Sequence, residues 1–276
     1  MLTPGQILAL TLDKPAAGGR MIARIEGRVV LVGGGIPGER VQVRIERIGK
    51  GVAFAETIAV DEPSADRRAP FTDPACGGCV FAHIAYPRQL EIKSQVIADA
   101  FARIGRVPLP SAVAVAPSPE DGYRMRARLH VGGGRIGFFR EGTHDLCDAR
   151  QTRQLLPRTC DALERLGAAA RSLGAEDIRG IELSENAAAS QRVVHLDTSR
   201  PLDAHLVDTL LATDGLTRGP YVTDTLSIGD VSITLRRHVL SFFQGNRYLL
   251  RDLVSHVVER VPIGSGVVDL YAGAGL

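Results

Sequence analysis

The sequence has no tryptophan, few aromatic residues and very little lysine. Aromatic residues make up 5% of the 276, and among 33 Lys and Arg residues only Lys14, Lys50 and Lys93 are lysines. Arginine binds phosphate through paired hydrogen bonds and stacks on bases, so this bias suits a nucleic-acid ligand. A GC-rich genome produces the same bias without a functional reason, and a net charge of +2 gives no argument for an acidic partner.

Long hydrophobic runs are also missing. No stretch approaches the roughly 18 apolar residues that a membrane helix needs, and residues 1–12 lack the basic start and long apolar core of a secretory signal. With 45% hydrophobic residues the chain can still bury two or three domain cores. We expect a cytoplasmic, monomeric, multidomain protein that does not associate with membranes.

Residues 6–60 alternate between apolar and polar positions, which is the pattern of half-buried strands. Clusters of glycine and proline divide the segment into about five short strands. This predicts a small closed barrel of the OB type, a fold whose face often binds single-stranded nucleic acid. Eight basic and five acidic residues lie within positions 1–60, although any soluble barrel has a charged surface.

The next segment changes period. A polar, proline-rich connector over 61–75 leads to the Cys-Gly-Gly-Cys segment 76–79, which resembles metal ligation or a redox pair more than a disulfide framework. From Tyr86 to Ile104 the apolar residues follow the spacing of one helix face. That helix needs a partner surface.

Residues 123–139 alternate again around three glycines, which predicts a β-hairpin. Arg124, Arg126 and Arg128 share one face of its first strand. Side chains about 6.5 to 7 Å apart on a strand match a tracked phosphate backbone, so these three are candidate RNA-binding residues. A solvated outer face would give the same pattern.

Further elements are predicted along the rest of the chain: helices over 158–174 and 204–212, and strands over 192–196 and 227–235.

Residues 268–276 predict a buried strand that ends in an acid and continues into Gly-x-Gly. Only glycine lets the backbone approach a ligand closely, so a nucleotide-like cofactor site often begins this way in α/β domains. The helix that should follow is missing, so we expect the front half of a cofactor-dependent protein. A strand of a parallel sheet needs cover on both faces, and the 255–276 tail is therefore expected to be loosely packed or exposed.

Three motifs occur in a fixed order. They are a barrel with Pro-Gly-Glu at 37–39, Cys-Gly-Gly-Cys at 76–79, and Ser-Phe-Phe-Gln-Gly-Asn at 241–246, followed by Asp-Leu-Tyr-Ala-Gly-Ala-Gly at 269–275. Over residues 5–276 this combination resembles the RNA 5-methyluridine methyltransferases, which act on rRNA or tRNA with S-adenosylmethionine.

The resemblance implies three domains. A TRAM (OB-fold) RNA-binding barrel spans 1–60, and an α+β central domain spans 61–82 and 111–235. The start of an α/β Rossmann-like methyltransferase domain, incomplete in this chain, spans 83–110 and 236–276. The helix that begins at Tyr86 would then pack on the methyltransferase domain.

The resemblance also implies the cofactor site. Gln244 would lie beside the methyl donor and the target base, Tyr271 would pack beside the cofactor, and Gly273 and Gly275 would allow its close approach. Asp269 would organise the loop at the end of the strand. As alternatives, Gln244 could cap the helix that follows, and Asp269 could cap a later one.

Members of this family hold an iron–sulfur (4Fe-4S) cluster through Cys-x5-Cys-Gly-Gly-Cys and one distant cysteine. Here the first position falls on Pro70 and the distant one aligns near Thr152. The sequence therefore indicates a retained turn with two soft thiols, Cys76 and Cys79, in place of an intact cluster. Zinc is an alternative, with His83 nearby or simply a surface histidine.

The resemblance implies methylation of uridine C5 in RNA, with rRNA favoured over tRNA because of the TRAM domain. A cysteine thiolate adds to C6 and makes C5 nucleophilic, but the catalytic residues fall in motifs beyond Leu276, so we expect this chain alone to be inactive. Two alternatives are a non-catalytic RNA-binding module made of the TRAM and central domains, and a metal scaffold that does not bind RNA.

Overall fold

The computed structural model describes residues 2–270 and residue 273. The chain divides into two compact units, one up to Pro117 and one from Ser118 onward. Each unit has its own apolar cluster. In the part of the chain that is described, no helix is both long and apolar enough to cross a bilayer.

The first unit contains the predicted barrel. Its sheet has the order β1-β5-β6-β4-β3-β2, and β1 also lies near β3, which curls the sheet around a shared core. Alternate residues of β5 are buried, as the period-two pattern predicts. The sixth strand, one more than predicted, is the two-residue β2. The strands are β1 (Ile7–Thr11), β2 (Lys14–Pro15), β3 (Met21–Ile25), β4 (Arg28–Gly33), β5 (Arg40–Ile48) and β6 (Val52–Glu62).

A buried carboxylate fixes the Pro-Gly-Glu turn of the barrel. The Glu39 side chain is fully buried and accepts hydrogen bonds from Arg67 Nε and Nη2, both at 2.6 Å. It also accepts from the backbone amides of Ile36 and Ser64, at 2.8 and 3.0 Å. One side chain thus ties the turn to the segment that follows β6.

Helix α1 (Tyr86–Ala100) continues into a π-helical turn (Phe101–Gly105). Its Ile92 is fully buried and belongs to the barrel cluster, and Lys14 Nζ of β2 pairs with Asp99 Oδ1 at 2.6 Å. The barrel is therefore a partner surface that the sequence pattern did not identify. The assignment of this helix to a methyltransferase domain stays a prediction.

The second unit is built on a five-stranded antiparallel sheet of order β11-β10-β7-β8-β9. The predicted hairpin is confirmed: β7 and β8 pair around Gly133 and Gly134, whose φ angles are both positive, as a tight two-residue turn requires. Helices α2 and α3 contribute to the apolar cluster on one sheet face. The elements are β7 (Arg126–Gly132), β8 (Arg135–Phe139), β9 (Leu146–Asp148), α2 (Pro157–Ser172), β10 (Ile178–Glu185), β11 (Arg192–Thr198) and α3 (Ala204–Leu211).

The single strand predicted over 227–235 is wrong. The structure has a hairpin of β12 (Tyr221–Ile228) and β13 (Val231–His238), with Ile228 opposite Val231. Gly229 has a φ of +57° at the turn, so the chain reverses inside the segment that was predicted to be continuous.

The buried strand predicted from position 268 is also wrong for the residues that are described. Within residues 2–270 and 273, helix α4 (Leu250–Val258) is the last helix or strand. Val268 and Leu270 are 82% and 74% exposed, and neither pairs with another strand. The expected exposure of the tail is confirmed over 256–270. Without neighbours on both sides, an apolar run of this length has nothing to form a ladder with.

Candidate RNA and cofactor site

The segment before Gln244 is anchored in an apolar cluster. Phe243 is 4% exposed and packs with Met125, Leu226 and Leu250. One residue after Gln244, the Gly245 carbonyl accepts a 2.9 Å hydrogen bond from the Met125 amide. Gln244 therefore lies between two fixed points.

Asn246, and not Gln244, accepts hydrogen bonds from the amides of the turn before α4, whose own N-cap Leu249 has no side-chain cap. Asn246 Oδ1 accepts from the amides of Tyr248 and Leu249 at 3.0 and 3.3 Å, just before α4 begins. The half-buried Gln244 side chain makes no hydrogen bond within residues 2–270 and 273. Its amide is thus available to a ligand, as the family resemblance implies.

A buried ionic network holds the other end of this segment. Arg247 pairs with Glu185, which also pairs with Arg192, and all three side chains are nearly inaccessible. Thr159 Oγ1 donates to Glu185 Oε1 at 2.8 Å, and Arg247 Nε donates to the Gly122 carbonyl at 2.9 Å. Sequence reasoning missed this network because its members lie on four separate parts of the chain.

A second buried pair supports Phe243. Arg237 Nε donates to Asp224 Oδ2 at 2.8 Å, and both side chains are fully buried. The Arg237 guanidinium lies 4.3 Å from the centre of the Phe243 ring, which is a cation–π distance. The β12–β13 hairpin thereby fixes the aromatic anchor of the Gln244 segment.

The other cofactor residues are not assembled with Gln244 in the described part of the chain. Asp269 is exposed and makes no hydrogen bond or ion pair there. Gly273 has a φ of +59°, which suits a glycine turn. Tyr271 and Gly275 lie outside the described residues. Their roles beside a cofactor stay predictions.

Two arginines of the predicted stripe, Arg126 and Arg128, lie on β7 and have acidic neighbours, whereas Arg124 precedes the strand. Arg126 and Arg128 lie 3.9 and 3.6 Å from Glu182, and Arg128 also lies 3.4 Å from Asp197. Arg124 has its guanidinium 5.8 Å from the Phe138 ring centre. These loose contacts leave Arg128 exposed but reduce the net positive charge of the stripe, and its RNA-binding role stays a prediction.

The barrel offers exposed cations that form no ion pair within the described residues, although Arg40 stands opposite Glu62 and Arg44 opposite Glu56 in the strand register. Arg40 and Arg44 on β5 are exposed and make no ion pair within the described residues. Nearby, the Arg47 guanidinium stacks 3.3 Å from the centre of the Phe54 ring. Exposed arginines beside an aromatic ring are the groups that bind phosphates and bases in single-stranded nucleic acid.

The described cysteines do not fit an iron–sulfur cluster. In the 76–79 segment the Cys79 amide donates to the Cys76 carbonyl at 2.9 Å, and both residues are buried. Cys76 is disulfide-bonded, so the expectation of two soft thiols in this segment is wrong for Cys76. Within the described residues, no three His, Cys, Asp or Glu side chains are grouped as metal ligands would be. His83 is buried, not on the surface, and its Nε2 lies 3.2 Å from the Gly35 carbonyl.

The free thiol of Cys160 is unsuited to nucleophilic attack. Burial raises the pKa of Cys160 to about 11, so the thiol is protonated at neutral pH. We predict that iodoacetamide at pH 7.5 leaves Cys160 unmodified in the native chain and alkylates it in urea, as read by peptide mass spectrometry. Rapid native modification would contradict the buried position.

Comparisons with known proteins agree with the predicted barrel. A TRAM domain matches residues 2–58. An uncharacterized RNA methyltransferase of Nitratidesulfovibrio vulgaris is 33% identical over 62% of this chain and 38% of its own length. One from Corynebacterium glutamicum is 36% identical over 66% of this chain and 45% of its own length.

A relative that is named for its RNA substrate is similar to this chain over a larger part of its length. The 23S rRNA (uracil(1939)-C(5))-methyltransferase RlmD of Azoarcus sp. is 29% identical over 93% of this chain and 66% of its own length. The crystal structure of Pyrococcus abyssi tRNA (uracil-54, C5)-methyltransferase with S-adenosyl-L-homocysteine has a TM-score of 0.66 and 23% identity. It covers 92% of this chain and 65% of that one. The chain thus spans less than half the length of the first two relatives and about two thirds of the others.

Proposed function

We propose that this chain, a relative of the RNA (uracil-C5) methyltransferases that carries a TRAM domain, binds RNA for S-adenosylmethionine-dependent methylation of uridine C5. The single observation that carries the proposal is the similarity to RlmD over 93% of the chain. That relative's name makes 23S rRNA the preferred substrate, as the TRAM domain does.

The residues of the chain divide this work between two places. Arg40 and Arg44 on the barrel bind the phosphates of the RNA, and Gln244 presents an uncharged amide that can donate to or accept from the target base or the methyl donor. S-adenosylmethionine supplies the methyl group. The buried Arg247–Glu185 pair keeps the Gln244 segment in place before the ligands arrive.

The thiol that attacks C6 is neither Cys79 nor Cys160. Both are buried, and the attacking species must be an accessible thiolate. We therefore propose that the chain alone binds RNA and transfers no methyl group. This also keeps open the alternative of a non-catalytic RNA-binding module, which the buried thiols favour.

The experiment is methyl transfer from radiolabelled S-adenosylmethionine to a 23S rRNA fragment or to tRNA, alongside measured RNA binding. We expect tighter binding of the rRNA fragment than of tRNA and no incorporation of label. Incorporation would refute the inactivity of the chain, and absence of RNA binding would refute the function.

Substitution of the barrel arginines tests which surface binds phosphate. The double variant Arg40→Ala/Arg44→Ala should weaken RNA binding and reduce its salt dependence. Each lost phosphate contact to a single strand should lower the slope of log affinity against log salt concentration by about 0.7 in magnitude. The matched control is Arg200→Ala/Arg218→Ala, two exposed arginines of the second unit that make no ion pair within the described residues. Equal effects of both variants would contradict a phosphate site on β5.

A further inference from the structure

The five-stranded sheet of the second unit has one covered and one open face. Ala127, Leu129 and Ile181 point into the cluster that contains residues of α2 and α3. Because side chains alternate along a strand, His130 and Phe139 lie on the opposite face. Around the β7–β8 hairpin that face is open and holds half-buried and exposed side chains, whereas Ser184 and Val193 farther along the same face are buried.

Three rings stack on this open face. The His130 and Phe139 rings are parallel, with centroids 3.5 Å apart and 6° between their planes. His144 meets Phe139 edge-on at 5.2 Å. The three rings form one group, which we call the ring stack. Burial lowers the pKa of His130, and the nearby Arg128 charge adds to this, so the imidazole is neutral at pH 7 and stacks as an aromatic ring.

His130 has a glycine as its partner on each neighbouring strand. Gly137 of β8 and Gly180 of β10 stand directly opposite it. At Gly137 a side chain would collide with the backbone carbonyl of Cys147 on β9, so glycine is needed there for the close approach of that strand. At Gly180 the nearest side chain is that of Asp197, so β10 itself places no ring or aliphatic group beside the imidazole.

The charge of this hairpin identifies the occupant. Residues 123–140 include five arginines and no acidic residue. Arg128, next to His130 on the open face, has a 65% exposed side chain. A group of aromatic rings beside an exposed guanidinium group matches an alternation of bases and phosphates.

We propose that the ring stack is a base-stacking site for single-stranded RNA, in which a base packs on His130 and Phe139 while Arg128 contacts a neighbouring phosphate. The inference rests on the proposed function and adds a second contact site to the one on the barrel. It adds to phosphate binding a site that contacts the flat face of a base.

Affinity measurements separate stacking from charge. Phe139→Leu removes the ring and keeps an apolar side chain, and His130→Ala removes the partner ring. Both should weaken binding of a labelled oligouridylate about fivefold or more and leave the salt slope unchanged, because stacking releases no counterions. An abasic strand of the same length should bind all variants equally. His195→Ala, an exposed histidine on the same sheet face outside the stack, is the matched control.

A fluorescence reporter tests the same site directly. Since the chain has no tryptophan, Phe139→Trp introduces a single reporter in the stack and His195→Trp introduces one on the same face outside it. Oligouridylate should quench the first and leave the second unchanged.

The outcomes separate this site from the function. RNA binding that falls with Arg40→Ala/Arg44→Ala but is unchanged in Phe139→Leu and His130→Ala, with no quenching in the Phe139→Trp variant, refutes the stacking site and leaves the proposed function standing. Failure of the wild-type chain to bind any RNA refutes both.

Discussion

Glu185→Gln is expected to destabilise the second unit by about 3 to 5 kcal/mol. The substitution keeps the shape of the side chain and removes its charge, which leaves the guanidinium groups of Arg192 and Arg247 buried without a counter-ion. Exchange of backbone amides in β7 and β10 against solvent measures the loss for this unit alone.

A surface pair provides the matched control. Arg165 and Asp214 lie 3.5 Å apart with 46% and 90% exposed side chains, so Asp214→Asn should change stability by less than about 1 kcal/mol. If Glu185→Gln and Asp214→Asn had similar small effects, the buried network would not be what holds the Gln244 segment.

Glu39→Gln is expected to destabilise the barrel unit by about 2 to 3 kcal/mol at neutral pH. The glutamine amide cannot form the charge-assisted hydrogen bonds that the Glu39 carboxylate accepts from Arg67. It also accepts weaker hydrogen bonds from the amides of Ile36 and Ser64. The control is Glu46→Gln. The Glu46 side chain is 42% exposed and its carboxylate lies 3.0 Å from Arg20, so the expected loss of stability is below about 1 kcal/mol.

The same substitution should alter the pH dependence of stability. Burial opposes ionisation of Glu39, but the hydrogen bonds from Arg67, Ser64 and Ile36 outweigh it, so the pKa of Glu39 lies below its usual value. A carboxyl group whose pKa is lowered by folding stabilises the folded state at pH values above its unfolded-state pKa of about 4.3. This stabilisation is lost as the pH falls through the folded-state pKa. The difference between wild type and Glu39→Gln should therefore be full at neutral pH and shrink below about pH 4.3. A constant difference down to about pH 2 would contradict this.

Local patterns predicted the elements whose partners are near in the sequence. Alternation along β5 and the two glycines at 133–134 specify a strand and a hairpin within a few residues, and both were confirmed. The segment over 227–235 was misread because alternation continues through the Gly229 turn, so the period alone does not show where the chain reverses.

The candidate site depended on contacts that no local pattern contains. Gln244 was found from its motif, but the Arg247–Glu185 pair joins residues 62 positions apart, and only the folded chain brings them together. The apolar run ending at Leu270 has the composition of a strand, yet a strand also requires neighbours. Composition predicts whether a segment tends to form a strand, and the neighbouring strands in the fold decide whether that strand forms.

RNA binding against salt tests the central claim most directly. The affinity of the wild-type chain for a 23S rRNA fragment and for tRNA would be measured by fluorescence anisotropy over a series of salt concentrations. The account predicts tighter binding of the rRNA fragment and a linear fall of log affinity with log salt, with a slope that shows several phosphate contacts at about 0.7 each. No binding, or binding that does not change with salt, would contradict it.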